Sequence, residues 1–276
     1  MFQRIDWISF SVPIVPNGSD DERKTAAAAA AAIRELSPVA ARLLALADGH
    51  WQPRNGRAPY RASFHNEERG ATVFVHPRLT HALVEISGRG CEYLYSQGAE
   101  LSFISEVQSR LTRLDIACDI ETKARPSAFV EDADMKRFKS TSHVVSPSGE
   151  TVYLGARSSD RYCRVYRYNA PHERAHLLRC EFVIKAENAK LTAQRLRETG
   201  YKATCAALGE AFGFQHETWQ PGSNPADLRT YRAERREGKT LYWLASTVAP
   251  LLVRLHNEGV IDAADWYDDN IAQRLR

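Results

Sequence analysis

Two short segments constrain this chain more than anything else in it: Arg113 to Ile120 reads R-L-D-I-A-C-D-I, and Arg179 to Lys185 reads R-C-E-F-V-I-K. Side chains of a strand alternate between its two faces, so Arg113, Asp115, Ala117 and Asp119 share one face, while Leu114, Ile116, Cys118 and Ile120 take the other. The second segment sets Arg179, Glu181 and Lys185 against Leu178, Cys180, Phe182 and Ile184. A chain with two such strands buries one sheet face under apolar cover and presents acids and cations on the opposite one. The expected product is a sheet displaying three carboxylates, Asp115, Asp119 and Glu181, among several cations.

Charge as a whole decides little, because 37 Lys+Arg stand against 34 Asp+Glu for a net +3. Such a balance neither demands nor excludes a polyanionic partner, and local clustering has to decide. With 276 residues and 43% hydrophobic residues, the chain can bury a real core. The five cysteines, at 91, 118, 163, 180 and 205, form no C-x-x-C pair, which fits neither a disulfide framework nor a zinc site and suits a reducing cytoplasm. No charged start followed by an apolar stretch opens the sequence, and no segment has the apolar length of a membrane span, so a soluble, unexported protein is expected.

Along the chain, strands are expected at Ile5 to Val15, Arg61 to Asn66, Ala71 to His76 and His81 to Ser87. The alanine-rich run Thr25 to Leu36 predicts a helix, and Ser37-Pro38 opens a second one to about Ala47. Gly49 to Pro59 reads as a loop, and Leu101 to Gln108 as a weakly alternating segment ahead of the first acidic strand. Arg125 to Met135 reads as a short helix or loop, and His143 to Gly149 as a strand and its turn. The run Tyr162 to Tyr168 alternates again and puts Tyr162, Arg164, Tyr166 and Tyr168 on one face. Helices are expected over Asn188 to Thr199, through Cys205 to Leu208, and over Lys239 to Asn257 with an interruption at Pro250. Strands early and helices late predict an α+β class: a central antiparallel sheet, helices on one face and a helical C-terminal part. The expected division is a sheet-containing core over 1–190 and a mainly helical part over 191–276, or one continuous domain.

Three constellations carry chemistry. Asp115, Asp119 and Glu181 supply the carboxylate oxygens that hard cations such as Mg²⁺ or Mn²⁺ prefer, although alternating acids and arginines also occur on ordinary half-exposed sheets. Tyr153 to Tyr166 reads as a hairpin whose tip carries Arg157 and Arg161, with Arg164 beyond. Guanidinium groups hold phosphates while neighbouring tyrosines stack on unpaired bases, so this hairpin suits nucleic acid. Leu228 to Thr240 is a basic stretch around Tyr231, with Arg235 and Lys239. A tyrosine among cations can attack a phosphodiester, and it can equally be a surface tyrosine beside solvated charges. No P-loop, G-x-S-x-G elbow or H-E-x-x-H occurs, and no His-hydrophobic-His pair.

Taken in order, Arg113 to Asp119, Thr151 to Tyr166 and Arg179 to Phe182 resemble the replication initiation factor family. That family comprises rolling-circle initiators of small plasmids and RstA-type replication proteins of filamentous phages. Glu85 to Cys91 upstream and Arg235 to Leu252 downstream extend the resemblance from about His81 to Leu255, and the downstream part looks most like the phage branch. The chain departs from the family where Arg167-Tyr168 stand in place of an acid and a lysine. The resemblance implies metal-dependent, site-specific nicking of one origin strand through a covalent phosphotyrosine. It implies a divalent metal (Mg²⁺ or Mn²⁺) at Asp115, Asp119 and Glu181, and DNA contacts from Arg113, Arg157, Arg161, Arg164, Arg179, Lys185, Arg235 and Lys239. Tyr231 is the first candidate nucleophile by its cationic setting, with Tyr166, Tyr168 and Tyr201 open. Origin DNA, both duplex and locally single-stranded, is the implied partner in a bacterial cytoplasm. Host helicase and polymerase are implied beside it, a homodimer is allowed, and no membrane is involved. A module of a phage or plasmid that binds origin or single-stranded DNA without cutting it is the alternative.

Overall fold

The computed structural model describes residues 2–16, 20–43, 51–131, 138, 140–147, 149–168, 177–213, 249–260 and 262. The chain divides into two compact units, Met1–Pro225 and Ala226–Arg276. In the second, the described element is a helix, Ala249–Asn257, with Arg254 and His256 in its last turn, where cations suit the helix dipole.

Among its described residues the first unit has ten strands: β1 (Phe2–Pro13), β2 (Gln52–Asn55), β3 (Ala62–Asn66), β4 (Ala71–Val75), β5 (His81–Ile86), β6 (Leu111–Glu121), β7 (Thr141–Ser146), β8 (Gly149–Leu154), β9 (Arg161–Arg167) and β10 (Leu177–Lys185). They join one sheet in the order β2-β3-β4-β5-β1-β6-β10-β9-β8-β7, with every pairing antiparallel. Six helices accompany them among the described residues of this unit: α1 (Glu22–Leu36), α2 (Pro38–Leu43), α3 (Gly88–Ser96), α4 (Glu100–Val107), α5 (Pro126–Phe129) and α6 (Glu187–Ala211). This is the α+β architecture expected from the sequence.

Alternation on the two acidic strands sorts the sheet into a dry face and a polar face. Leu114, Ile116, Cys118, Ile120, Leu178, Cys180, Phe182 and Ile184 are fully buried on the dry side. Helix α6 packs against β6 and β10 there, its terminal Phe212 ring lying 5.6 Å from Phe182. Phe103 of α4 meets Phe10 of β1 edge-on at 5.7 Å. Each large side chain removed from water in this layer contributes about 1.5–3 kcal/mol, which fixes which face of β6 and β10 meets the helices.

Two local expectations differ from what forms. Leu101 to Gln108 contains α4, because Phe103, Ile104 and Val107 bury at helical spacing, a pattern that mimics weak alternation over so short a stretch. The expected loop Gly49 to Pro59 contains β2, an edge strand whose four residues are all exposed and so carry no hydrophobic signal. The two helices expected after Glu181 do form, as the two halves of α6 on either side of a kink at Gly200, whose φ of 77° is open to glycine at no steric cost. Of the helix expected over Lys239 to Asn257, residues 239–248 lie outside the described residues.

Candidate functional site

Register places the polar side chains. Across β6 and β10, Arg113 faces Lys185, Asp115 faces Val183, Ala117 faces Glu181 and Asp119 faces Arg179. Across β10 and β9, Glu181 faces Arg164, Arg179 faces Tyr166 and Val183 faces Tyr162. Asp115 and Glu181 therefore lie diagonally on neighbouring strands of one face. Around them the polar groups close into pairs. Arg113 donates to both oxygens of Asp115 at 2.8 and 2.5 Å, and Arg179 donates to both oxygens of Asp119 at 2.6 and 2.8 Å. The Arg164 guanidinium pairs with Glu181 Oε1, and the Tyr166 hydroxyl donates to Glu181 Oε2 at 2.9 Å. Arg179 also reaches Asp6 at 3.2 Å, and its guanidinium carbon sits 3.5 Å above the centre of the Tyr168 ring. Arg4 donates to the Tyr168 hydroxyl at 3.3 Å.

Burial and like charge govern ionisation here. Asp115 has no exposed surface, and this burial pushes its carboxyl up to about 7; Arg113 opposes the rise and the Glu181 charge adds to it. Asp6 is raised as well, by burial first and Glu181 second. The Tyr166 phenol is pushed up by its burial and then by Glu181, so at neutral pH it is a hydrogen-bond donor. Lys185 is lowered by burial and by Arg113.

A divalent cation finds its preferred donor type at Asp115 and Glu181, two carboxylates crowded enough that the charge of one raises the other. Asp119 lies diagonal to Glu181 on its other side and four residues, about 13 Å, from Asp115 along β6. Arg179 takes its two oxygens as Arg113 takes those of Asp115. Among the described residues, no three His, Cys, Asp or Glu side chains gather as a metal-binding group. The donor chemistry fits a cation held by carboxylates such as Asp115 and Glu181 and completed by water or phosphate oxygens.

The expected DNA-contacting residues separate into groups. Arg113, Arg164, Arg179 and Lys185 share the polar face with the acids, each over an aromatic ring: Arg113 lies 5.0 Å from Trp7, Lys185 5.1 Å from Tyr162 and Arg164 5.6 Å from Tyr166. Arg157 is exposed at the β8–β9 tip, 5.6 Å from the Tyr153 ring. Lys185 anchors that tip, its Nζ donating to the Arg157 carbonyl at 2.7 Å and its backbone N–H to the Asp160 carbonyl at 2.7 Å. Arg161 pairs in register with Ile184 and so belongs to the opposite face. Tyr201 is on α6, its hydroxyl bound to Glu100 of α4 at 3.0 Å within the helical layer. Tyr231, Arg235 and Lys239 lie outside the described residues.

Sequence reasoning missed Asp6, Trp7 and Arg4. Strict alternation puts Asp6 with Ile8 and Phe10 on the dry face, but the β1–β6 register slips between Ile5 and Trp7, leaving Asp6 as an extra residue. Such a bulge re-aims one side chain, here onto Arg179. The signal available was an acid, with Arg4, in a parity class otherwise made of Phe2, Ile8, Phe10 and Val12.

No protein-family model matches this chain, and no curated protein does. A solved structure that does match is that of a rolling circle replication initiator protein from Geobacillus stearothermophilus. It is 20% identical in sequence with a TM-score of 0.55, over 76% of this chain and 84% of that one. At that identity, what the two proteins share is the fold.

Proposed function

We propose that this protein initiates rolling-circle replication by nicking one strand of an origin through a tyrosine ester. One observation carries the reading: Asp115 and Glu181, distant in sequence, meet on one sheet face with arginines and a tyrosine hydroxyl about them, in a fold shared with a rolling circle replication initiator protein. In the proposed reaction a phenol oxygen bonds to phosphorus while the bond from phosphorus to the 3′ oxygen breaks. The phenolic proton passes to that oxygen, leaving a free 3′-OH and a 5′-phosphotyrosine. Asp115 and Glu181 hold the divalent cation, which when bound polarises the phosphate and stabilises the departing oxygen. Arg113 and Arg164, at rest on those acids, turn to the phosphate oxygens. Arg179 stays on Asp119 and fixes the spacing of β6 and β10.

The attacking residue in this proposal is Tyr231. Tyr166 is buried, is raised rather than lowered in its ionisation, and spends its hydroxyl on Glu181, so its part is to orient that carboxylate. The Tyr168 hydroxyl accepts from Arg4 while its ring supports Arg179. Incubating the protein with Mn²⁺ and an origin oligonucleotide should give a covalent adduct that survives denaturation and maps to Tyr231. An adduct on Tyr166 or Tyr168 would move the role to that residue.

A second reading, a module that binds origin or single-stranded DNA without cutting it, is favoured by one fact: each of the three acids already has an arginine partner. The same incubation separates the two, since this reading expects retention of the oligonucleotide and no adduct under any divalent metal.

A further inference from the structure

A β-bulge decides which residue stands opposite Asp115. Were β1 to run on in the register it has at Ile5, Asp6 would face Asp115; the slip between Ile5 and Trp7 puts Trp7 there instead. Directly opposed residues of an antiparallel pair share a face, with their Cα atoms about 4.5–5.5 Å apart. The Trp7 indole therefore stands on the polar face, one strand away from the carboxylate that the proposed function gives to the cation.

Its setting differs from that of the other rings on this face. Tyr162 is buried, Tyr166 spends its hydroxyl on Glu181, and Tyr168 is capped by Arg179 at 3.5 Å. Tyr153 belongs to β8, three strands from β6. Trp7 is only partly buried, and the Arg113 guanidinium lies over it at a looser 5.0 Å. The one polar atom of the indole is already engaged: Nε1–H donates to Ser9 Oγ at 2.8 Å, and that hydroxyl donates to Glu85 at 3.4 Å. A ring fixed through its N–H offers an incoming group a rigid π face and no hydrogen bond. A flat, unpaired nucleobase fits that offer, and an anion does not. Arg113 links this ring to the acids, since the same guanidinium donates to both oxygens of Asp115.

We propose that Trp7 is a stacking site for an unpaired base of the bound strand, beside the phosphate position at Asp115 and Glu181. The inference rests on the proposed function for the identity of the ligand, and adds the residue that sets the strand's position on the sheet. When a phosphate oxygen draws Arg113 off Asp115, the guanidinium leaves the indole in the same movement, and the neighbouring base takes its place. One event thus frees the carboxylate for the cation and the ring for the base. Because the indole N–H stays on Ser9, the site holds a base without reading its edge.

The test is an anisotropy titration of the full-length protein, with chelator present, against two labelled strands of equal length and charge. One is an oligothymidylate of about twelve nucleotides, within the usual site sizes of such surfaces; the other is its abasic counterpart, with every phosphate and no base. Trp7→Ala should weaken binding of the oligothymidylate by about 5- to 150-fold, the range for losing one stacked base, and leave the abasic strand's affinity unchanged. Trp7→Phe should recover most of the loss. Should Trp7→Ala not fold, Trp7→Leu decides, since it keeps apolar bulk without a π face and should lose affinity for the oligothymidylate alone. An equal loss on both strands would mean that Trp7 acts only by holding Arg113 and the fold, and overturns the proposal; so does no loss on either, or a wild type that binds the two strands alike. Binding under chelation needs neither nick nor nucleophile. A base-dependent Trp7 effect without any adduct under Mn²⁺ therefore sinks the nicking reading alone, and an adduct without that effect sinks this inference alone.

Discussion

Asp115 keeps its proton to higher pH than an exposed aspartate because it is folded into a fully buried position beside Glu181. Its pKa of about 7 against 3.8 for the unfolded chain sets the sign of a stability effect. Below about pH 4 both states are protonated. Between the two values the unfolded chain sheds a proton that the folded one retains, so stability falls by up to about 1.4 kcal/mol per pH unit, and above the higher value the loss is complete. Asp115→Asn removes this term. In urea titrations the variant should gain on the wild type steadily from pH 4 to 7 and then run parallel to it, and a gap that does not change with pH refutes the assignment. Nicking should show the reverse sign, rising through pH 7 as the carboxylate ionises, and should vanish in Asp115→Asn while DNA binding persists. Tyr166→Phe removes a hydrogen bond to a carboxylate, a loss of about 1.5–3 kcal/mol. It should slow adduct formation without abolishing it, whereas Tyr231→Phe should abolish it. The faces of Asp115, Glu181, Arg164 and Tyr166 were legible in the sequence because period-two alternation is unambiguous on long strands. Asp6 was not, because a bulge breaks the very parity that made the others readable.

Between elements, the Arg179–Asp119 pair stitches β6 to β10 with both side chains almost wholly out of water, 3% and 5% exposed. Removing one partner of a buried pair leaves the other charge uncompensated, a loss of about 3–5 kcal/mol. Arg179→Met should therefore unfold at markedly lower urea, and the double variant Arg179→Met with Asp119→Asn should recover part of the difference. If the two single losses simply add, the pair does not couple the strands. Arg179→Lys should behave nearly as badly as Met, since an ammonium cannot span both oxygens of Asp119 or lie flat on Tyr168. The sequence grouped Asp119 with the other acids and did not anticipate this stitch, for a reason of the same scale. Alternation tells which residues share a face but not what lies opposite, and the register that sets Asp119 against Arg179 comes from the pairing of segments 60 residues apart. The reading of α4 as an alternating segment has a similar origin, since eight residues are too few to separate a period of two from one of 3.6 when three of them bury.

Across the whole molecule, α+β class and the antiparallel sheet were legible because two long strands impose the layering, and everything dry must then lie on one side. Edge strands such as β2 carry no such pattern and appear only when neighbours are placed. The polar face opposite the helices has cation–aromatic couples at Trp7, Tyr153, Tyr162, Tyr166 and Tyr168, distributed from β1 to β8. Under the proposed function this face has two separable tasks, and they respond to different ions. Holding an unpaired strand is a matter of phosphate neutralisation and stacking, so it depends on monovalent salt, whereas making the adduct depends on the divalent cation at Asp115 and Glu181. Chelation should therefore abolish adduct formation and leave the affinity for an unpaired oligonucleotide unchanged at fixed ionic strength. Arg157→Ala, at the exposed tip, should weaken binding of all oligonucleotide sequences alike. It should also lower the slope of log affinity against log salt by about 0.7, the share of one phosphate on a single strand. Anisotropy titrations over a salt series measure both quantities, and an unaltered slope in Arg157→Ala would mean that the hairpin tip does not touch the nucleic-acid backbone.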